Sequence, residues 1–261
     1  MHQDYEDYAV YWIPRTDSAL SVFGAGWTGW CADRGAVADL PEIRRLRRGR
    51  PEAPGSNATY GLHAALSTPF RLDRGRTVWS LDQRLLALSQ ALPSVRLPKL
   101  EVMVMDGRVV LSLARPSRSV NQVARCLTDL IRGIRRDGGH QRYTGASTIA
   151  GIYLPGMGAW SDAGMLETGR FHIALTDRMD LADAMDMADD LTPALASVLA
   201  EPQTLADLAL VGNPGRGRPW RLIERYPLAE EPRRQTDGLP RSMTCRGPRL
   251  WAPLDTGLAI V

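Results

Sequence analysis

Two of the chain's four histidines stand in closely matched sequence contexts. His63 lies in the segment YGLHAAL (60–66), and His172 lies in the segment GRFHIAL (169–175). Residues two apart share a face of an extended chain, so each histidine is followed on its own face by a small residue, Ala65 or Ala174. An imidazole gains and loses its proton near neutral pH. The matched pair therefore predicts one shared site for general acid–base chemistry.

The elements predicted around the two segments occur in the same order. A histidine-bearing strand, a helix and a hairpin are predicted over 62–114 and again over 170–226, and the Asp106-Gly107 step is a strong signal for the first hairpin. The predicted strands are 8–13, 62–68, 100–105, 108–114, 170–176, 205–211 and 220–226. The predicted helices begin at Thr16 or Asp17, at Thr77, at Ser117 or Ser119 and at Asp180, and they reach 27, 92, 134 and about 199. This order predicts an α+β fold.

The paired histidine segments resemble the tandem His-x-Thr/Ser motifs of the 2H phosphoesterase superfamily. The closer similarity is to an uncharacterised bacterial branch associated with phosphonate-utilisation operons. The resemblance covers about residues 8–228 and is carried by the stretches 8–12, 18–20, 60–63, 69–72, 171–176 and 220–228. It implies two pseudo-symmetric lobes, each an antiparallel sheet backed by helices, around a central cleft that both motifs line.

The resemblance also implies an activity, that of a cyclic phosphodiesterase-like hydrolase that needs no metal or other cofactor. His63 and His172 are then the catalytic pair: one takes a proton from the attacking water or 2′-hydroxyl, and the other protonates the leaving oxygen. The expected ligand is a small cyclic phosphate or a nucleotide-like phosphodiester. The residues expected to contact it are Tyr11, Tyr60, Ser67, Arg71, Thr176 and Arg178.

Both motifs lack the hydroxyl residue of the superfamily, because Ala65 and Ala174 stand at its positions. In an ideal strand Ser67 shares the face of His63, and Thr176 shares that of His172, so these two hydroxyls are the expected substitutes. The departure leaves an alternative function open. The chain is then a divergent, non-hydrolytic protein of the same fold, which binds a ligand or uses the histidine pair for other acid–base chemistry.

One domain is expected to contain both motifs. Residues 1–228 are predicted to form a single bilobal domain, with lobes of roughly 1–135 and 170–228 that exchange strands. The glycine-rich segment 137–169 is predicted to be a loop or lid, and residues 229–261 a loosely packed tail.

The composition is that of a globular protein, with 44% apolar and 23% charged residues. No apolar run approaches the ~20 residues that span a bilayer, and the polar N-terminus lacks the pattern of a secretory signal. These features predict a cytoplasmic protein without a membrane partner. The net charge of +3 permits an anionic ligand. RNA binding through the arginines within 44–50 is a further alternative, less favoured than a solvated helix face.

Two further features receive structural predictions. The glycines of GAGWTG (24–29) match a dinucleotide-binding pattern, but they do not directly follow a strand, so they are expected to serve helix packing. Trp12 and Trp79 are expected in the core.

Overall fold

The computed structural model describes residues 5–31, 33–37, 60–135, 171–215 and 218–230. The predicted loop or lid at 137–169, nearly all of the predicted tail at 229–261 and the arginine-rich stretch at 44–50 lie outside the described residues. Within the described ranges, no helix combines the length and the apolar character needed to cross a lipid bilayer.

The described residues form an α+β fold, as the sequence predicts. The helices are α1 (Ala19–Thr28), α2 (Val78–Ala91), α3 (Arg118–Arg132) and α4 (Leu181–Ala194), and a short 3₁₀ helix follows at Val198–Ala200. The strands are β1 (Asp7–Trp12), β2 (Trp30–Cys31), β3 (Ala36–Val37), β4 (Ala64–Ala65), β5 (Val95–Arg96), β6 (Leu100–Met105), β7 (Arg108–Leu113), β8 (His172–Ala174), β9 (Thr204–Leu205), β10 (Asp207–Asn213) and β11 (Arg221–Pro227).

Seven strands form one antiparallel sheet in the order β11-β10-β1-β4-β8-β7-β6. The two predicted hairpins are confirmed as β6 with β7 and β10 with β11. β8, from the second half of the chain, lies between β4 and β7 from the first half, so strands from both halves share the sheet. The sheet is continuous across the two ranges expected to form separate lobes, and their pseudo-symmetry remains a prediction.

The main core lies on one face of this sheet. Inward-facing strand residues such as Val10, Ala64 and Ile173 pack in a single buried cluster with residues from all four described helices. α2 packs against β10 and β11, and α4 packs against β6 and β7. Because successive residues of a strand point to opposite faces, the residues on either side of Ala64 and Ile173 face away from this core.

Several sequence predictions are wrong in extent or placement. The strand predicted at 62–68 shortens to Ala64–Ala65, and the helix predicted to reach about 199 ends at Ala194, one residue after Pro193, which cannot supply a helical N–H. Ser18, rather than Thr16 or Asp17, caps α1 by accepting a hydrogen bond from the Ser21 amide. Trp79 is 65% exposed, because it lies on the solvent side of α2.

The glycine-rich run at 24–29 serves helix packing, as predicted. Gly24 lies inside α1 against Leu62, and a Cβ added at Gly24 would come within 2.5 Å of the Leu62 side chain. Leu62 directly precedes His63. The absent side chain of Gly24 therefore lets α1 approach the segment that carries the first histidine.

Replacing Gly24 by alanine should destabilise the protein, although the same change inside an exposed helix usually stabilises it by about 0.5–1 kcal/mol. Overpacking against Leu62 should lower the free energy of unfolding by about 1–3 kcal/mol. Urea denaturation of the wild type and Gly24→Ala measures the difference. A variant as stable as the wild type, or more stable, would contradict this packing.

Candidate active site

Both histidines lie on the sheet face opposite the main core. β4 pairs with β8 through Ala64 and Ile173, which are both buried in that core. Extending this register by one residue each way sets His63 opposite Ala174 and Ala65 opposite His172. Directly opposite residues of an antiparallel pair point to the same face. The two His-x-Ala motifs therefore form one four-residue patch, in which all four residues are partly exposed.

The register also fixes how the two histidines are related. They occupy diagonal positions of the patch, a relation that sets side chains about 7–8 Å apart, within reach of a common small ligand. Their proximity has an electrostatic consequence, because the charge of His172 contributes to the lowered pKa of His63. The structure thus brings together the two residues predicted to be the catalytic pair.

Two tyrosines contact the ring of His63, and a tryptophan packs against both of them. Tyr11 stacks on it, with ring centroids 4.1 Å apart and ring planes 23° from parallel. Tyr60 lies 5.7 Å from the same ring, and Trp220 lies 5.2 Å from Tyr60 and 6.0 Å from Tyr11. Tyr11 comes from the neighbouring strand β1, where it pairs with Ala65. Two of the predicted ligand contacts, Tyr11 and Tyr60, are therefore placed at the first histidine.

This environment keeps His63 neutral. Desolvation of the ring is the main cause that lowers its pKa from 6.5 to about 4, while a hydrogen bond to the Gly61 carbonyl opposes the shift. Nδ1 of His63 lies 2.9 Å from the Gly61 carbonyl oxygen. A carbonyl oxygen only accepts, so Nδ1 carries the proton of the neutral ring and Nε2 is left as a base.

His172 is held by β7 on its other side. Its register partner in β7 is Ser112, and the Ser112 hydroxyl donates a hydrogen bond of 2.9 Å to the carbonyl of Phe171, next to the histidine. Phe171 is itself buried in the main core against Trp12. The backbone that carries His172 is thereby fixed from two directions.

Ser67 and Thr176 were expected beside the ligand, and the structure gives them a different role. The Ser67 hydroxyl accepts a 2.9 Å hydrogen bond from the Val10 amide, and the Thr176 hydroxyl accepts a 3.0 Å bond from the Val109 amide. The two residues are only 5% and 3% exposed. Each hydroxyl accepts the backbone amide of the neighbouring strand, a position that a backbone carbonyl would occupy if the strand continued. Regular strand pairing therefore ends at Ser67 and Thr176, and β4 is shorter than predicted.

Arg71 and Arg178 each form an ion pair with a carboxylate. Arg71 pairs with Asp7 at the start of β1, and Arg178 pairs with Asp106 in the turn before β7, both at 3.0 Å. The arginine side chains remain 48% and 57% exposed. The negative charge of Asp7 also contributes to the raised pKa of Tyr60, so the Arg71 pair lies near the aromatic residues around His63.

Sequence reasoning missed Trp220 as a site residue. Its indole N–H donates to the Tyr60 oxygen, while desolvation is the main cause that raises the Tyr60 pKa, so Tyr60 remains a neutral phenol. Trp220 is buried in a second apolar cluster on this face, together with Tyr11 and Trp30. Its position depends on the long-range pairing of β11, β10 and β1, which local sequence patterns do not indicate.

The described residues lack the ligand arrangements that hold metal ions in proteins. No group of three histidine, cysteine, aspartate or glutamate side chains is arranged there to hold an ion. The chemistry available at the patch is that of its two imidazoles, the neighbouring phenols and the nearby ion pairs.

The fold and the patch define an α+β protein with paired histidines on one face of an antiparallel sheet. The family model described as "Protein of unknown function (DUF1045)" matches residues 65–221, so the chain belongs to this family. The matched range contains His172 and begins two residues after His63.

A curated relative and several solved structures are also similar to the chain. It is 27% identical over 257 residues to ribose 1,5-bisphosphate phosphokinase PhnN of Janthinobacterium sp. (strain Marseille), an alignment that covers 92% of this chain and 55% of the relative. The chain thus spans about half the length of that relative. A crystal structure of a phosphoesterase is 13% identical, with coverage of 87% of this chain and 100% of that one and a TM-score of 0.41.

Two further structures show comparable similarity. LigT of E. coli, complexed with 3′-AMP, is 11% identical, with coverage of 87% of this chain and 100% of LigT and a TM-score of 0.39. Usb1 of Kluyveromyces marxianus, with uridine monophosphate, is 12% identical, with coverage of 86% of this chain and 99% of Usb1 and a TM-score of 0.32.

The buried hydroxyl of Thr176 should contribute to stability rather than to ligand binding. Thr176→Val removes the acceptor of the Val109 amide and should lower the free energy of unfolding by about 1–3 kcal/mol. Thr176→Ser, which keeps the hydroxyl, serves as the control, and chemical denaturation measures both. If Thr176→Val were as stable as the wild type but bound ligand more weakly, the hydroxyl of Thr176 would act in ligand binding and this prediction would be wrong.

The low pKa of His63 should make stability depend on pH in a defined window. Between pH 6.5 and about 4, the unfolded histidine binds a proton that the folded one does not, so the free energy of unfolding should fall as the pH falls. The slope is at most about 1.4 kcal/mol per pH unit for one group. His63→Gln should lack this contribution in denaturation series across the window. Identical slopes in the variant and the wild type would contradict a neutral, desolvated His63.

Proposed function

We propose that the chain is a phosphoesterase that hydrolyses a small cyclic phosphate or a nucleotide-like phosphodiester by two-histidine general acid–base catalysis. The observation that carries this proposal is the register of β4 and β8, which sets His63 and His172 diagonally on one partly exposed patch. Two imidazoles at this spacing can flank one phosphorus atom, with one on the side of the attacking oxygen and the other on the side of the leaving oxygen.

The two histidines take different roles in the proposed reaction. His63 is neutral with Nε2 unprotonated, so it accepts the proton of the attacking water as the water oxygen bonds to phosphorus. His172, protonated at the start, gives its proton to the leaving oxygen as the phosphorus–oxygen bond breaks. A bound phosphate anion favours the charged form of a nearby imidazole, so it raises the pKa of His63 towards neutrality during the reaction.

The phosphate contacts in this proposal come from other residues than the two absent motif hydroxyls. We assign hydrogen bonding to the phenols of Tyr11 and Tyr60, which border His63. We assign charge compensation to the partly exposed guanidinium groups of Arg71 and Arg178. Ser67 and Thr176 are not part of the proposed ligand set, because their oxygens are buried and serve the backbone.

A cyclic phosphate of a ribose phosphate is the substrate that we propose most specifically. Water opens a cyclic phosphodiester on a sugar to give one phosphomonoester and one free hydroxyl, so a ribose that already carries a phosphate becomes a ribose bisphosphate. The name of the PhnN relative contains ribose 1,5-bisphosphate. The phosphate-binding P-loop of many kinases contains a lysine that directly follows a glycine. The one lysine of this sequence, Lys99, follows Pro98, so the sequence lacks this motif. A hydrolase whose product is the ribose bisphosphate used by such a kinase fits this chain better than the kinase itself.

A non-hydrolytic function is the second candidate, and Ala65 and Ala174 favour it. These residues set two methyl groups directly opposite the histidines, where a hydroxyl could have bonded a phosphate oxygen. A hydrogen bond to a charged group contributes about 1.5–3 kcal/mol, so the absence of both limits how strongly a phosphate transition state is held. In this alternative the patch binds a ligand, or the pair performs acid–base chemistry on a group other than phosphate.

The proposed function is tested by a metal-free activity screen with chelator present. Cyclic ribose phosphates, 2′,3′-cyclic nucleotides and short 2′,5′-linked oligonucleotides are incubated with the wild type, His63→Ala and His172→Ala. Each histidine variant should lose about 10²–10⁴-fold in kcat, the usual contribution of a general acid or base. Unfolding midpoints measured in parallel confirm that both variants fold.

The double variant Ala65→Thr/Ala174→Thr separates the two candidates. Turnover by the wild type that either histidine change abolishes supports the phosphoesterase. A silent wild type, with turnover that appears only after both threonines are introduced, supports the non-hydrolytic alternative. Activity that persists in both histidine variants would contradict the proposed roles of the pair.

A further inference from the structure

A cavity lies at the edge of the fold and shares no described residue with the histidine patch. It is about 670 Å³ in volume and is formed by the end of β5, the start of β6, the turn from β7 to α3 and the segment after the 3₁₀ helix. This volume is within the range of about 300–1,000 Å³ of small-molecule sites. The cavity is therefore large enough for a ligand of its own.

The side chains around this cavity are strongly basic. Arg96, Lys99, Arg115 and Arg118 line it, and all four are exposed. Lys99 approaches the Glu101 carboxylate only to 3.8 Å. Among the described residues, no carboxylate lies within ion-pairing distance of the three arginines, which distinguishes them from the paired Arg71, Arg178 and Arg225. The cavity thus gathers three arginines that have no carboxylate partner within the described part of the chain, together with Lys99, and these groups can bind an anion.

Two further features add to the positive potential. α3 begins at the cavity wall with Ser117 as its cap, and the first turn of this helix contains no acidic residue, so the positive end of the helix dipole is uncompensated. Glu201 is the acidic residue of the described lining, and one of its oxygens accepts a hydrogen bond from the Ala19 amide at the start of α1. One carboxylate engaged elsewhere does not offset four cations.

We propose that this cavity binds a small molecule with a chain of linked phosphate groups, such as a diphosphate or triphosphate. Several negative charges on one small ligand match several cations that line one cavity, and a guanidinium group can bind two phosphate oxygens at once. Single-stranded nucleic acid is disfavoured, because grooves for it combine positive charge with aromatic stacking platforms, and the described lining contains no aromatic residue. The site is independent of the proposed hydrolysis at the histidines.

The test uses pyrophosphate and tripolyphosphate as probes in calorimetric titrations at physiological salt. The wild type should bind both probes more tightly than inorganic phosphate. Arg115→Glu/Arg118→Glu should weaken pyrophosphate binding by about tenfold or more, because each charge-assisted hydrogen bond is worth at least that factor. The exposed pair Arg74→Glu/Arg125→Glu, with the same change in net charge, should bind like the wild type. Arg115→Gln/Arg118→Gln repeats the test without charge reversal.

Other results would overturn the proposal. A wild type that binds neither probe, or binding that survives both arginine pairs of the cavity, would show that the cavity is not the site. Loss of pyrophosphate binding in His63→Ala would place the probe at the histidines instead. Tighter binding of a uridine oligonucleotide than of tripolyphosphate, lost in Arg115→Glu/Arg118→Glu, would make the cavity a nucleic-acid site. Binding that is retained in His63→Ala supports the proposal even if the hydrolysis screen is silent.

Discussion

The antiparallel pairing of β4 with β8 is the contact on which the site depends. These strands are two and three residues long, yet they join the strands on either side into one sheet. Their register directs Ala64 and Ile173 into the core and both histidines to the other face. A slip by one residue would exchange the two faces, burying the imidazoles and exposing Ile173. The burial of the main core therefore holds the two histidines in the geometry that the proposed function requires.

Each side of this pairing is reinforced in the same way. Val10 in β1 and Val109 in β7 each receive two amides at their carbonyl and donate their own amide to the hydroxyl of Ser67 or Thr176. Such a hydroxyl ends a strand without leaving a buried amide unpaired, which would cost about 1–3 kcal/mol. Asp7 and Asp106 each precede the corresponding valine by three residues and each bind an arginine. These matched contacts keep both short central strands in place.

The surroundings of His63 are what suit it to the role of base in the proposed reaction. His63 lies among Tyr11, Tyr60 and Trp220, where desolvation favours its neutral form. His172 lies between Ala65 and Ser112 in the middle of the sheet, where Ser112 of β7 is its register partner. An acid–base pair needs one neutral and one protonated member at the same pH. The aromatic packing and desolvation of His63 favour the neutral member of the proposed pair.

Features that depend on neighbouring residues could be predicted from the sequence, whereas contacts that depend on the pairing of distant strands could not. The Asp106-Gly107 hairpin follows from local turn chemistry, and the structure confirms it. Strand alternation predicts a shared face for His63 and His172, and the extended register of β4 and β8 is consistent with that prediction. Trp220 could not be found this way, because distant strand pairing brings it to Tyr60. Strand alternation also could not predict that the Ser67 hydroxyl accepts the Val10 amide, because this contact depends on the pairing with β1.

NMR titration of the imidazole resonances shows whether His63 and His172 form one electrostatically coupled pair. The titration is made on the wild type and on His172→Gln, with His63→Gln used to assign the signals. The pKa of His63 should be about 4 in the wild type, and it should rise when the charge of His172 is removed. A His63 that titrates near its ordinary value of 6.5 and does not respond to the loss of His172 would contradict it.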